Sequence, residues 1–299
     1  MPSAETSAKP RISVLIPVYR DWAGLESCLA ALAAQTWPAD DFEVLVVSND
    51  AEPPSPLSRA GVRLLHEPRG HSYAARNAGL AMAQGEVLAF TDADCRPEPG
   101  WLAAGWAALQ ADTEASLVGG HIRIAVTQRN VATDYDESFA FKQAESVRNG
   151  SSVTANLFVK RVVFDTVGPF NAALQSGGDF ELCRRARQSG FKIIYAEGAV
   201  VQHPARDSLA ALFRKNRRVA GGFRRREFDL LNKGFVLRLR FVTNMLKPRL
   251  RFWLRLLRGQ SHTDVLPAWR RPAVTLVQVC IHYHFAFSLL LPPPRKDQH

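Results

Sequence analysis

The chain has 299 residues, 46% of them apolar and 22% charged, which supplies a packed core and excludes an intrinsically disordered protein. Its four cysteines, Cys28, Cys95, Cys183 and Cys280, form no Cys-X-X-Cys pair and have no histidine at zinc-finger spacing, which excludes a disulfide-stapled miniature and favours reduced thiols in the cytosol. The net charge of +10 is unevenly placed: residues 206–299 hold 20 basic and 5 acidic side chains, and residues 1–205 hold 18 and 23. The basic back is expected to meet an anionic surface, either nucleic acid or acidic lipid headgroups.

Residues 1–10 are polar, read as a loose tail, and lack the apolar run of a signal peptide, which points to a start on the cytosolic side. Ile12 to Pro17 is a nearly continuous apolar run, the mark of a strand buried on both faces of a parallel sheet. Leu25, Cys28, Leu29 and Leu32 follow at helical spacing, with Asp21 as cap and Pro38 beyond the end. Phe42 to Val47 and Val62 to His66 predict two more strands. Tyr73 to Gln84 predicts a helix capped by Ser72 and stopped by Gly85, and Glu86 to Thr91 a fourth strand. Strands alternating with helices imply right-handed β-α-β units.

Such sheets bind ligands beyond the carboxyl ends of their strands, which singles out residues 17–20, 48–50 and 91–95. Asp92 and Asp94 stand one residue apart after a buried strand. In an extended segment they would point the same way and address one divalent cation, Mg²⁺ or Mn²⁺ by the hardness of carboxylate oxygen. The alternative is that they only turn the chain.

Trp101, Leu102, Trp106 and Leu109 predict a helix with a core-facing side, and Leu117 to Ile124 a strand. Gln128 to Gly150 is polar and aperiodic, either a mobile acceptor-side loop or a surface excursion. In residues 176–190, two glycines precede an acid that opens a helix stopped by Gly190. Asp179 is a cap, a catalytic base, or both, and the Gly-Gly entry permits close backbone approach to a substrate. Glu181 and Arg184, three apart, are expected to pair. Lys192 to Ala196 and Val200 to His203 predict two further strands; His203 is either a structural histidine or a metal ligand.

These segments resemble the family 2 glycosyltransferases of the GT-A fold, a Rossmann-like α/β domain with a mostly parallel sheet and flanking helices. The resemblance spans about residues 11–205 and rests on RISVLIPVY, FEVLVVSND, HSYAARNAGL, GEVLAFTDAD, NLFVKRVVFDTVGPFN, GGDFEL and VVQH, in that order. It implies that Pro17, Tyr19, Asn49, Asp50 and Arg76 border the donor nucleotide. It places Asp92 and Asp94 on the metal motif, with Asp94 the direct ligand and His203 where some members supply another, and Asp179 on the base. It further implies metal-dependent transfer from a nucleotide-diphosphate sugar to an acceptor hydroxyl, with inversion. One departure is that the second strand ends Ser48-Asn49-Asp50 rather than Asp-Asp-Gly, which shifts the acid that commonly meets the base.

Beyond residue 205 a basic, largely helical region is expected. Phe235, Leu239, Val242 and Leu246 repeat helically; further on, Leu250, Trp253, Leu254 and Leu257 form one face and Arg251, Arg255 and Arg258 another, the pattern of an interfacial helix. Residues 273–291 carry no formal charge, but Gln278, His282, His284 and Ser288 favour shallow insertion over a span. The region following the base reads RKNRR at 214–218, without the Gln-X-X-Arg-Trp of processive synthases, so single addition is expected. Together these features describe a transferase at the cytoplasmic face of the plasma membrane, acting on a glycan or lipid-linked acceptor, with no nucleic-acid partner. Two alternatives are a sugar nucleotidyltransferase, whose Gly-rich first loop is replaced by Ile16-Pro17-Val18-Tyr19-Arg20, and a non-enzymatic basic nucleic-acid- or membrane-binding protein.

Overall fold

The computed structural model describes residues 9–52, 61–229 and 235–290; most of the tail at 1–10, and the end of the uncharged run at Leu291 with its basic flank, lie outside these. The described residues of Met1–Arg123, Phe141–Ala173 and Gly178–His203 make one compact unit, and those of Ile124–Ala140, Leu174–Gly177 and Pro204–His299 a second.

The chain runs β1 (Ile12–Val18), α1 (Trp22–Ala33), β2 (Phe42–Ser48), β3 (Val62–His66), α2 (Ser72–Met82), β4 (Val87–Thr91), β5 (Arg96–Pro97), α3 (Trp101–Ala111), β6 (Ala115–Ala125), α4 (Val131–Phe139) and α5 (Gln143–Arg148). It continues with β7 (Asn156–Lys160), α6 (Arg161–Val167), α7 (Gly178–Gln188), β8 (Lys192–Pro204), α8 (Leu209–Arg224), α9 (Phe235–Met245), α10 (Leu250–Leu257) and α11 (Arg271–Ser288). The sheet order is β3-β2-β1-β4-β7-β6-β8-β5. β3, β2, β1 and β4 are parallel, β7 runs antiparallel to both β4 and β6, and β5 pairs antiparallel with β8.

The apolar runs form the strands for the reason their composition indicates: every residue of β4, and all of β1 but Pro17, is buried. α1 buries Leu25, Cys28, Leu29 and Leu32, and Asp21 accepts the Gly24 N–H at its start. α2 begins at Ser72, not after it, and ends at Met82; its cap position is His71, with no side-chain cap bond. On α3, Gly105 rather than Trp106 completes the buried side, because a Cβ there would overlap the Phe158 ring. Trp106 instead packs against Trp37, 5.4 Å between ring centroids.

The polar stretch 128–150 is not a loop. α4 starts with a reciprocal cap, in which Asn130 Oδ1 accepts the Ala132 and Thr133 N–H groups while Thr133 Oγ1 accepts the Asn130 N–H. In the first unit, α5 is anchored by buried Gln143, which donates to Ser152 Oγ (2.8 Å) and the Asn156 carbonyl (2.9 Å) and accepts the Val153 N–H. The two expected strands over 192–203 are one, β8, held continuous past exposed Gly198 by its ladder to β5 and by an Asn156 bond to the Ala199 carbonyl.

Asn156 is fully buried at the head of β7: it accepts from Trp101 Nε1 and donates to the carbonyls of His121 and Ala199, each at 2.8 Å. Replacing it strands the buried Trp101 indole N–H and Ala199 carbonyl and removes the bond to the half-buried His121. Asn156→Leu is therefore expected to cost about 3 kcal/mol or more, read as a fall in the urea midpoint at unchanged slope. An unchanged midpoint would show these bonds are not needed.

The second unit is helical. Ala132, Leu212, Val277 and Ile281 form one core cluster, and Ala220, Val242, Ala286 and Leu289 another. α11 thus packs within this unit along one side, leaving Leu276 and Phe287 exposed, which differs from the shallow insertion expected for residues 273–291. Among the described residues no helix is long and apolar enough to cross a membrane. His282 bonds the Met245 carbonyl and His284 the Asn216 amide, so the two histidines serve different partners. On α10 the face expected to be apolar is largely open: Leu250 is 63% exposed, Leu254 49% and Leu257 41%, and Leu256 alone is buried.

Candidate active site

Parallel pairing in register brings the carboxyl ends of β1, β2 and β4 to one edge of the sheet. The loops that follow carry the residues singled out above. Asp50 is buried and turned inward: Oδ1 accepts the Arg20 N–H (3.0 Å) and Oδ2 the Trp22 indole N–H (2.8 Å). These bonds accompany Arg20 at φ +58°, a left-handed conformation that is strained for a residue with a Cβ. Asn49 donates to the Glu67 carbonyl (2.6 Å), so both polar side chains at the end of β2 fasten neighbouring loops. Tyr19 is exposed, with the Arg20 guanidinium 5.0 Å from its ring centroid, and Pro17 is half-buried.

Asp92 and Asp94 do not lie in an extended segment. The chain turns at once after β4, with the Cys95 N–H donating to the Asp92 carbonyl, and the two carboxylates take different partners. Asp92 Oδ1 pairs with Arg76 Nη2 of α2 at 2.5 Å. Asp94 Oδ2 stands 3.5 Å from His203 Nε2, near the end of β8. Both carboxylates keep about a third of their surface open to solvent, whereas Arg76 and His203 are buried.

Asp94, Cys95 and His203 each offer a ligand atom, all within 4.8 Å of one another. Burial, reinforced by the charges of Asp92 and Asp94, holds the Cys95 thiol well above its ordinary value. The Asp94 carboxylate suits a hard cation such as Mn²⁺ or Mg²⁺, while the His203 imidazole and the Cys95 sulfur also admit softer divalent metals. The His203 ring packs against Phe141, 4.6 Å between centroids.

Asp179 is the second residue of α7 and sits inside the helix, not at its cap. Oδ1 accepts the Tyr73 hydroxyl (3.2 Å) and the Phe180 N–H (2.9 Å), and Oδ2 the Thr154 N–H (3.4 Å). Burial raises its carboxyl above the ordinary range; the two amides, the Tyr73 hydroxyl and the Arg76 charge offset part of that rise. Arg76 therefore acts electrostatically on Asp179 while bonded to Asp92. The backbone approach that Gly178 permits is to Tyr73: a Cβ at 178 would lie 2.8 Å from that ring. Glu181 pairs chiefly with Arg185 (2.8 Å), four residues on, and only secondarily with Arg184 (3.6 Å). Arg185 also donates to the carbonyls of Val167 and Pro169, which is why it holds the better position.

Sequence reasoning missed Tyr73 and the Thr154 amide. Tyr73 had a signal, since it lies three residues before Arg76 on the same face of α2. The Thr154 amide had none.

The profile of the family described as Glycosyl transferase family 2 matches residues 13–172. Glycosyltransferase AglE of Haloferax volcanii is 35% identical over 229 residues, covering 73% of this chain and 74% of AglE. The pre-mycofactocin glycosyltransferase of Mycobacterium tuberculosis is 28% identical over 212 residues, 66% of this chain and 43% of that protein. Among solved structures, the mannosyltransferase PcManGT from Pyrobaculum calidifontis, in complex with GDP-Man and Mn²⁺, is similar with a TM-score of 0.57 at 19% identity, covering 91% of this chain and 75% of that one. TarS of Staphylococcus aureus is similar at 0.52 and 17%, covering 92% and 54%. The fold is that of the GT-A glycosyltransferases, with a helical C-terminal region. The chain belongs to glycosyltransferase family 2.

Proposed function

We propose that this glycosyltransferase moves a sugar from a nucleotide-diphosphate donor to an acceptor hydroxyl in one inverting, metal-dependent step, adding a single residue per encounter. The observation that carries the reading is the approach of Asp94 to His203 at the strand ends, in the unit that also buries Asp179. Asp94 and His203 would hold the Mn²⁺ or Mg²⁺, which when bound supplies positive charge to the leaving diphosphate. That PcManGT was solved with GDP-Man and Mn²⁺ supports both donor class and metal.

Asp179 takes the proton of the acceptor hydroxyl. Its raised affinity for protons suits a base, and the Tyr73 and Thr154 bonds fix the direction in which its carboxylate points. Arg76 holds Asp92 at the donor side, so Asp92 acts as a positioned acid rather than a primary metal ligand. Tyr19, the exposed ring beside Pro17, offers a stacking surface for the nucleotide base. Asp50 and Asn49 shape the loops around it. We assign the catalytic domain to residues 11–205 and membrane attachment to 206–299.

Attachment to the anionic inner face of the plasma membrane is supported by α10, where exposed Leu250, Leu254 and Leu257 stand among exposed Arg251, Arg255 and Arg258. The acceptor is then a glycan or lipid-linked glycan presented at that face. Replacing the three arginines with glutamine is expected to weaken binding to anionic vesicles by about a hundredfold. Co-sedimentation at low and high salt measures this, with duplex DNA as the control polyanion. Full-length protein that stays in the supernatant, or that prefers DNA, would remove the membrane assignment.

A further inference from the structure

Packing of the helical unit uses one side of α11 and leaves the other. Val274, Val277, Ile281 and Ala286 are buried, while Ala273, Leu276, Cys280, Tyr283 and Phe287 line the outer side. Leu276 is 64% exposed and Phe287 55%; Ala273 and Cys280 are exposed as well. Half-buried Tyr283 has Trp253 of α10 at its edge, 6.1 Å between ring centroids. The five outer residues are spaced alternately by three and four, so at about 3.6 residues per turn they fall within an arc of about 80°. That is the seam pattern of paired helices.

Two features choose the occupant. A helix lying in a lipid interface flanks its apolar face with basic side chains, as α10 does with Arg251, Arg255 and Arg258, whereas no Lys or Arg stands between Pro272 and Leu290. The stripe is also nearly symmetric about its middle: Ala273 and Phe287 each lie seven residues from Cys280, Leu276 four before it and Tyr283 three after. A two-fold interface must match itself, and this pattern does so when two copies of the helix run antiparallel. Small Cys280 at the centre then lets the helices approach, with Leu276 of each copy against Tyr283 of the other.

We infer that the outer stripe of α11 pairs two copies of this chain, antiparallel, with the two Cys280 side chains meeting at the two-fold axis. The inference does not rest on the transfer reaction assigned to the other unit. The seam is about 21 Å long and about 10 Å broad, well below the ~800 Å² per partner of a standard interface, so the dimer is reversible. The 20 basic and 5 acidic side chains of residues 206–299 make two helical units repel. Added salt should therefore tighten the pair, opposite to its effect on binding an anionic membrane.

Sedimentation velocity of the reduced full-length protein, from about 1 to about 200 μM and at low and high salt, tests this. A monomer–dimer equilibrium that shifts toward dimer with salt is expected. Leu276→Glu and Phe287→Glu each place a charge in the seam and should raise the dissociation constant about tenfold or more. Both positions are exposed, so the urea midpoint should not fall. A short bis-maleimide should join two chains through Cys280, the other three cysteines being buried, and Cys280→Ala should lose the cross-link but keep the reversible dimer. Wild-type protein that stays monomeric throughout would overturn the inference. So would a dimer indifferent to both glutamate substitutions, which would place the contact on another face.

Discussion

Asp94→Ala is expected to lower kcat/KM by on the order of 10³-fold or more, because it removes the carboxylate through which positive charge is held against the leaving diphosphate. The geometry separates it from Asp92. Asp94 faces His203 at 3.5 Å and can share a cation with it, whereas Asp92 is committed to buried Arg76 at 2.5 Å. Asp92→Ala should therefore act through Arg76, raising KM for the donor and lowering stability as a buried guanidinium loses its partner. Mn²⁺ binding followed by electron paramagnetic resonance provides the direct readout: lost in Asp94→Ala, retained in Asp92→Ala. Equal Mn²⁺ binding by wild type and Asp94→Ala would remove Asp94 from the metal site.

Asp179→Asn keeps the size of the side chain and an oxygen for the Tyr73 hydroxyl but cannot take a proton, so kcat should fall about 10²- to 10⁴-fold with donor binding unchanged. The pH profile gives an independent check. Burial raises the carboxyl of Asp179 in the folded protein, so activity is present above that raised value and lost as pH falls through it; the acid limb of kcat/KM should lie above the ordinary carboxylate range. The Tyr73 hydroxyl stabilises the charged form, so Tyr73→Phe should move that limb to still higher pH. A wild-type rate in Asp179→Asn together with loss in Glu181→Gln would transfer the base role to Glu181, which Arg185 holds on the same helix.

The strands and the loops that carry acids could be read from the chain because both follow from one-dimensional patterns. A parallel strand buried on two faces has to be continuously apolar, as in ISVLIP and VLAFT, and the strand-end rule then selects Asn49, Asp50, Asp92 and Asp94. What those side chains do once placed depends on neighbours distant in sequence. Asp50 is used up by Arg20 and Trp22, thirty and twenty-eight residues away, and the turn after Thr91 sends Asp92 to Arg76 and Asp94 to His203. α4 stayed hidden because its cap pairs Asn130 with Thr133 instead of a glutamate or glutamine, and its buried Asp134 and Asp136 read as solvent-facing until Arg270 and Arg206 supply their partners. The uncharged run after Arg271 had membrane-like composition, but its buried residues meet the helical unit, a choice made by the available partner surface.

Release of nucleoside diphosphate across a panel of nucleotide sugars, by full-length protein with acceptor extract, tests the central claim most directly. One donor should release its diphosphate with Mn²⁺ or Mg²⁺ present, and release should cease in EDTA, in Asp94→Ala and in Asp179→Asn. Undiminished release in EDTA would contradict metal-dependent sugar transfer at Asp94 and His203, as would release that survives both substitutions.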